Sequence, residues 1–583
     1  MSALAPWVDV PEAAKTATTT QRAARLAARA IAAMRAREPL IWGMVTWVAY
    51  SALGIWLGYH YNAVMRDAFA RLANAYYVLY SRDPHLEAIG FIWNPLPSLL
   101  MVPLLAFKGL WPALAHQGLA ANLVSAPFGG LAVFAFGRLL RRFGLSGWLW
   151  RALVLLFALN PGLAFFAANG MTDLMLAGTM LATLDSLWAY VEGRRVSSLV
   201  ASGLWTSVAF LIRYDVVFWA AVVAVAVAFG LARLPEYRAT YRRSWQWIAG
   251  FLLVWMTPLI YAVTIWVFVN WMIMHDALYF LRGAYSNVAQ NATGAYRNPE
   301  LLAAWGHPLG ALAFVARQTL LFPPVVVGAI GLLAVGLAGR RMAHAQALIL
   351  AAATLGVPLL QLLLLYKGES DGWLRYFLSF IPFGFVSVVF LAQRLAQRGD
   401  CARPVIWGLC LAGIVAGNGL TAFAMLMPAS PLRTERLQGY QEFDRVIGYL
   451  DAHPRLTVLT DTFLSFPIVL RIQRIPSTNF VVTSDRDFVT LLDHPSGHVD
   501  ALLVPQPAKL GLLDAVNRRY QHLWDGGEPW AREIADFPDG HHWRLFLITP
   551  ARRASTQSAN RAPRWRDRRA RHGSPLPPTR TRT

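Results

Sequence analysis

The sequence predicts an all-α polytopic membrane domain of about eleven transmembrane helices followed by a small soluble α/β domain. Three observations carry that expectation. The chain is 56% hydrophobic with 23 tryptophans and only 15% charged residues, where a soluble domain carries about 25%. Its apolar residues fall in long runs separated by short basic clusters, the pattern of successive membrane spans. Beyond residue 430 the composition changes: acids and bases nearly balance, and short β-rich runs appear. The net charge of +21 does not point to nucleic acid, because the arginines sit at the ends of apolar runs, where they set orientation in the membrane. The two cysteines, Cys401 and Cys410, are too few and too badly placed for a disulfide framework or a zinc site.

The elements follow in order from the positive-inside rule. Residues 1–38 read as a basic cytoplasmic segment. The run Leu40–Tyr59 is too long for a cleavable signal and reads as the first span. A long outer segment follows, Tyr59–His116. Within it Phe69, Leu72, Tyr76 and Leu79 recur at helical spacing, which predicts an amphipathic helix lying at the interface. Arg138, Arg141, Arg142 and Arg151 form the next basic cluster. If that cluster is cytoplasmic, one complete span fits before it, at 118–137, and Pro95–Trp111 is an interfacial or half-inserted helix. Two full spans there would instead place the cluster outside. Further spans are expected at 151–167, 173–191, 197–212, 216–232, 247–270, 308–338, 346–365, 375–393 and 404–427. The segment 308–338 is expected to open with an interfacial turn. Arg194-Arg195, Arg233–Arg243, Arg340-Arg341 and Arg394, Arg398 and Arg403 mark the returns to the cytoplasm. The membrane domain thus covers 39–428, with the N-terminus inside and the C-terminal domain outside. Residues 429–550 form that α/β domain, with strands expected at 456–460, 480–483, 501–505 and 543–549 and helices at 440–450 and 512–520. Residues 551–583, with ten arginines against one aspartate, read as a disordered basic tail.

This topology gathers the polar chemistry on one face. Asp67, Asp173, Arg213, Arg282, Lys367 and Arg375 all fall in outer loops or at outer helix ends, together with Asp215, His275, Asp276 and Asp371. The spans themselves are nearly free of charge, Asp185 and Lys108 being the ambiguous cases. A lipid or polysaccharide transporter without transferase activity, the alternative reading, would place ionisable groups near the midplane. A site at the outer boundary suits transfer from a lipid-linked phosphate. There the tail stays in the bilayer, a cation stabilises the departing phosphate, and a carboxylate takes the acceptor's proton. Arginine suits the phosphate because its planar fork can engage two oxygens.

Several short motifs share that outer location: Tyr61-Asn62-Ala63-Val64-Met65-Arg66-Asp67-Ala68, Trp93-Asn94-Pro95-Leu96-Pro97, Asn160-Pro161 with Asn169-Gly170-Met171-Thr172-Asp173, Asn270-Trp271 through Asp276, Tyr279 and Phe280, and Gly372-Trp373-Leu374-Arg375-Tyr376. In order and placement they resemble the GT-C glycosyltransferases, in particular the protein O-mannosyltransferase and aminoarabinose transferase branch. Asn94 stands where that family often has histidine. The resemblance implies a GT-C-like membrane domain and an inverting transfer of sugar from a polyprenyl-phosphate donor to a lipid, glycan or protein acceptor on the extracytoplasmic face of a bacterial plasma membrane. It makes Asp67 the general base or acceptor-orienting group and Asp173 a second carboxylate. Arg375, with Lys367, Arg282 or Arg213, would hold the donor phosphate. Each residue also has a plainer reading. Asp67 pairs with Arg71 one turn on, Asp173 favours a helix N-terminus, Arg375 anchors a helix at the interface, and Asp215 neutralises Arg213. No metal ligand is assigned; His275-Asp276 is a poor ligand pair, and use of a divalent cation stays open. Membrane lipids are expected partners and nucleic acid is not. The α/β domain is expected to tune acceptor access and to hold no catalytic residue, its Asp461, Asp485 and Asp487 serving strand-end turns.

Overall fold

The computed structural model describes residues 19–235, 244–426 and 440–549. The basic tail at 551–583, residues 1–18 of the N-terminal segment, 236–243 of the basic loop and the domain junction at 427–439 lie outside the described residues.

Among the described residues, eight helices are long and apolar enough to cross a membrane: Arg37–Tyr61, Leu119–Arg142, Thr172–Gly193, Asp215–Ala232, Trp245–Met274, Met342–Lys367, Leu374–Ala396 and Arg403–Leu426. Two further pairs qualify only jointly, raising the number to ten if each is one span. Gly147–Ala158 and Pro161–Ala168 bend by 55° at Asn160-Pro161. Pro161 cannot donate into the helix ladder, and Asn160 restarts it, its Oδ1 accepting from the Leu163 amide at 3.1 Å. Pro308–Thr319 and Pro324–Leu337 turn through 113°, so the first of the two runs across the second. Val196–Ile212 is apolar but only 17 residues long, about 25 Å.

The lipid-facing surface is visible in what stays uncovered. Leu40, Met44, Val48, Leu253, Ile260 and Phe268 are all exposed apolar residues on helices, which only acyl chains would cover. Inside the bundle, backbones approach closely through small residues. A Cβ on Gly178 would stand 2.5 Å from the Phe128 carbonyl oxygen, which locks Thr172–Gly193 against Leu119–Arg142. Hydroxyls within the spans turn back to backbone carbonyls at Thr183, whose Oγ1 donates to Thr179 O at 3.0 Å, and at Ser202, whose Oγ donates to Thr183 O at 3.0 Å. These two are satisfied packing groups.

The segment expected as a half-inserted helix is Leu96–Leu105, ten residues or about 15 Å, half the hydrocarbon thickness. Asn94 ties its start to the neighbouring helix, donating to Phe210 O at 2.6 Å. The amphipathic helix is Arg66–Tyr80, with Phe69, Leu72 and Tyr76 buried.

The C-terminal domain is a five-stranded sheet in the order β2-β1-β3-β5-β4, with β1 Val458–Thr460, β2 Phe480–Val482, β3 Ala501–Pro505, β4 Ala531–Phe537 and β5 Trp543–Ile548. β1 pairs in parallel with β2 and β3, while β3–β5 and β5–β4 are antiparallel. Four strands lie where the sequence predicts them. β4 was not expected, because it is an edge strand carrying Arg532, Glu533 and Asp536, without an apolar run to announce it.

Candidate active site

One end of the bundle collects charge at four chain positions, each at a helix terminus or turn. Asp67 is the second residue of Arg66–Tyr80 and Asp173 the second of Thr172–Gly193, so both sit where the helix dipole favours an anion. The two starts are pinned together: the Met65 amide donates to Asn169 O at 3.4 Å. Gly170, at φ +79°, makes the turn, and a Cβ there would come 2.7 Å from that of Ala121. Arg213 follows Val196–Ile212, and Asp215 opens the next helix. Arg375 lies in the short 3-10 turn Leu374–Phe377.

Their side chains meet. Arg375 Nη1 stands 2.8 Å from Asp67 Oδ2 and 3.7 Å from Met171 Sδ. Arg213 joins two carboxylates, Nη1 to Asp173 Oδ1 at 2.9 Å and Nε to Asp215 Oδ2 at 2.7 Å. The Tyr376 ring lies between the two guanidiniums, 5.3 Å from Arg375 Cζ and 5.5 Å from Arg213 Cζ. Arg71 completes a cation triad: it is buried, rests 4.5 Å over Trp93, and donates from Nη1 to the Asp67 carbonyl at 3.4 Å. Asp371 stands in the loop before Arg375.

The electrostatics follow from this crowding. Burial pushes the Asp67 carboxyl upward, but the charges of Arg375 and Arg71 more than offset it and hold the group below the usual carboxylate range. Even so, 35% of the Asp67 side chain remains accessible, so protein surrounds it without sealing it. Burial pushes Arg71 down to about 10 against the opposing pull of Asp67. Asp371 is pushed up to about 6 by burial, with Arg375 resisting and Asp67 reinforcing the shift.

Buried polar atoms with no hydrogen-bond partner gather around the same turn: Asp173 Oδ2, Thr172 Oγ1, Asn169 Nδ2 and Arg71 Nε. Buried polar groups are normally paired, so this cluster fits a polar ligand. Among the described residues, no group of three or more His, Cys, Asp or Glu is placed to hold a metal ion.

Of the residues singled out in the sequence, Asp67, Asp173, Arg213 and Arg375 come together. Arg282 and Lys367 do not enter the contacts of this cluster, and both are exposed. Asp276 caps its own turn, its Oδ1 accepting from the Leu278 amide at 2.9 Å. Asp185 pairs with Arg138 and Arg142 near the far end of the bundle, and Lys108 Nζ donates to Tyr76 OH at 2.8 Å. From the sequence Arg71 is expected only as a local partner for Asp67, and no role is expected of Tyr376. The spacing Asp67 to Arg71, one helical turn, was the available signal.

The C-terminal domain reaches the site through the turn between β4 and β5. His541 Nε2 lies 2.5 Å from Arg66 Nη2, one residue from Asp67. Burial, with the charge of Arg66, pushes His541 down to about 4, so its neutral ring accepts from the guanidinium. Asp461 ties the domain to the loop that follows Trp245–Met274: Tyr285 OH donates to its Oδ2 at 2.7 Å.

No family model matches the sequence, and no curated protein matches it. Among solved structures the chain is similar to the archaeal oligosaccharyltransferase AglB from Archaeoglobus fulgidus in complex with an inhibitory peptide and a dolichol-phosphate, at 9% identity over 89% of this chain and 75% of that one, with a TM-score of 0.43.

Proposed function

We propose that the chain is a membrane glycosyltransferase that moves a sugar from a polyprenyl-phosphate carrier to a lipid, glycan or protein acceptor at the extracytoplasmic face. The observation that carries this reading is the Arg375–Asp67 pair at 2.8 Å, set among two further arginines, Arg71 and Arg213, and three further carboxylates, Asp173, Asp215 and Asp371. In the resting site Arg375 holds Asp67 ionised but occupied. A donor phosphate competes for the same guanidinium, whose planar fork matches phosphate oxygens. As Arg375 turns to the phosphate, Asp67 loses part of the positive field that lowers its basicity. It is then left as the base beside the acceptor.

The transfer then balances as a single displacement. The acceptor hydroxyl gives its proton to Asp67, and its oxygen bonds to the anomeric carbon. The bond from that carbon to the phosphate oxygen breaks, with the electron pair leaving on the polyprenyl phosphate. Arg375 and Arg213 stabilise that charge in a water-poor site, where such stabilisation is largest. Asp173 keeps Arg213 in place and offers its unpartnered oxygen to the acceptor or the sugar. The test is transfer from synthetic polyprenyl-phosphate sugars by the purified chain in liposomes. Wild-type turnover that vanishes in Asp67→Asn supports the reading; turnover unchanged in both Asp67→Asn and Asp173→Asn sinks it.

A further inference from the structure

A second charged cavity lies at the opposite end of the bundle and plays no part in the proposed transfer. It has a volume of about 620 Å³ and is bounded by Arg138, Arg142, Glu192 and Arg195, with Ser198 and Trp205 on its wall. Its place follows from one helix. Thr172–Gly193 carries Asp173 at its start and Glu192 at its end, and its 22 residues span about 33 Å. That is roughly the thickness of the hydrocarbon core, so the two sites occupy opposite headgroup layers.

The donors in this cavity are only partly used. Arg138 reaches Asp185 Oδ2 through Nε at 3.0 Å, and Arg142 reaches Asp185 Oδ1 through Nε at 2.7 Å. A guanidinium offers five N–H donors in a fork, so Asp185 orients both without exhausting either. The second contact of Arg142, to Glu192 Oε2, is long at 3.6 Å. Glu192 itself is held by the Trp188 indole N–H at 2.8 Å. Arg195 is exposed, just past the left-handed turn at Arg194, φ +56°. Three cations therefore meet two carboxylates, Glu192 on the wall and Asp185 behind it, which leaves one positive charge in excess, while Ala189, Ala201 and Trp205 supply an apolar side beside them. Arginines, hydroxyls and an apolar flank at headgroup depth match a phosphodiester attached to acyl chains.

We infer that this cavity binds the phosphodiester headgroup of an anionic glycerophospholipid from the leaflet opposite the candidate active site. The guanidinium N–H groups donate to the phosphate oxygens, Ser198 serves the glycerol or head alcohol, and the acyl chains leave along the Ala189 and Ala201 side.

The experiment is native mass spectrometry of the full chain in detergent micelles, titrated with phosphatidylglycerol or phosphatidylcholine. Wild type is expected to retain phosphatidylglycerol several-fold more than phosphatidylcholine. Arg195→Gln removes an exposed cation and Ala201→Trp fills the cavity; each is expected to cut the retained phosphatidylglycerol several-fold and leave phosphatidylcholine unchanged. If Ala201→Trp does not fold, Arg195→Gln decides alone. Equal retention of the two lipids by wild type, or undiminished preference in Arg195→Gln, overturns the proposal. Two competition arms fix the source of the phosphate. Displacement of phosphatidylglycerol at equal concentration by glycerol 3-phosphate, or by a short polyprenyl phosphate, overturns a phospholipid site; failure of both supports it.

Discussion

At the scale of single residues, the site is a problem of competing ion pairs. Asp67 cannot serve fully as a base while Arg375 donates to it, and Arg375 cannot serve phosphate while Asp67 holds it. The proposed exchange predicts different kinetic signatures for the two. Asp67→Asn keeps shape and loses basicity, so transfer is expected to fall roughly a hundredfold or more with donor KM little changed. Arg375→Ala should raise donor KM and slow phosphate departure by about 10²–10³, while Arg375→Lys recovers part of both, offering a point charge without the fork. Asp371 supplies the pH dependence. Burial sets its pKa at about 6, so it is neutral below that pH and an anion above it. An anion beside the phosphate site opposes phosphate binding. Donor affinity should therefore weaken as pH rises through 6, and by linkage a bound phosphate should raise the Asp371 pKa further. In Asp371→Asn the titration should disappear; a wild-type donor KM that stays flat between pH 5 and 7 would show that Asp371 does not face the phosphate.

At the scale of elements, much of this arrangement was readable, for physical reasons that differ by residue. The amphipathic helix could be read from Phe69, Leu72 and Tyr76 because burial on one face imposes helical spacing. Asp67, Asp173, Arg213 and Arg375 could be grouped because the positive-inside rule places their turns on one side. Sequence spacing cannot say which charges on that side touch. Arg282 and Lys367 share the expected outer location but stay exposed, and Arg71 joins the triad through three-dimensional packing against Trp93. β4 escaped notice because edge strands are protected by charge rather than marked by apolar residues. The role of Asp461 also needed the structure. It accepts from the Phe463 amide at 2.8 Å, the Ala515 amide at 2.6 Å and Tyr285 OH at 2.7 Å, so it is more than a turn residue. Asp461→Ala strands three donors and should cost at least about 1–3 kcal/mol of domain stability. Asp487→Ala removes a half-exposed partner of Arg82 and should cost about 0–1 kcal/mol. Thermal unfolding of the two variants in the same detergent checks the contrast; equal losses would mean the Asp461 network contributes no more than a surface ion pair. The β4–β5 turn bears on function differently. His541→Ala should move acceptor KM more than donor KM, since His541 meets Arg66 and not the Arg375 side of the site; a fall in turnover as large as that of Asp67→Asn would instead put His541 in the chemistry.

At the scale of the whole molecule, orientation decides whether the two charged ends can do what is proposed for them. Asp67, Asp173 and Arg375 share one end with the C-terminal domain, because Arg66 meets His541, Arg82 meets Asp487, and Tyr285 meets Asp461. Arg138, Arg142 and Arg195 share the other. These contacts mean that both assignments stand or fall together: the domain cannot be outside while Asp67 is inside. The basic turns favour the arginine end as cytoplasmic, since short loops rich in arginine are retained there. Reporter fusions separate the two orientations without any assay of transfer. A reporter active only in the cytoplasm, fused after Arg195, should be active; fused after Thr460, within the sheet domain, it should be silent. A fusion after Asp173 should be silent and one after Arg341 active, because each crossing reverses the side. Cytoplasmic activity after Thr460 would turn the molecule over. It would place the Asp67 cluster where nucleotide-activated sugars are made, and a soluble sugar nucleotide would then replace the lipid-linked donor as the substrate to test.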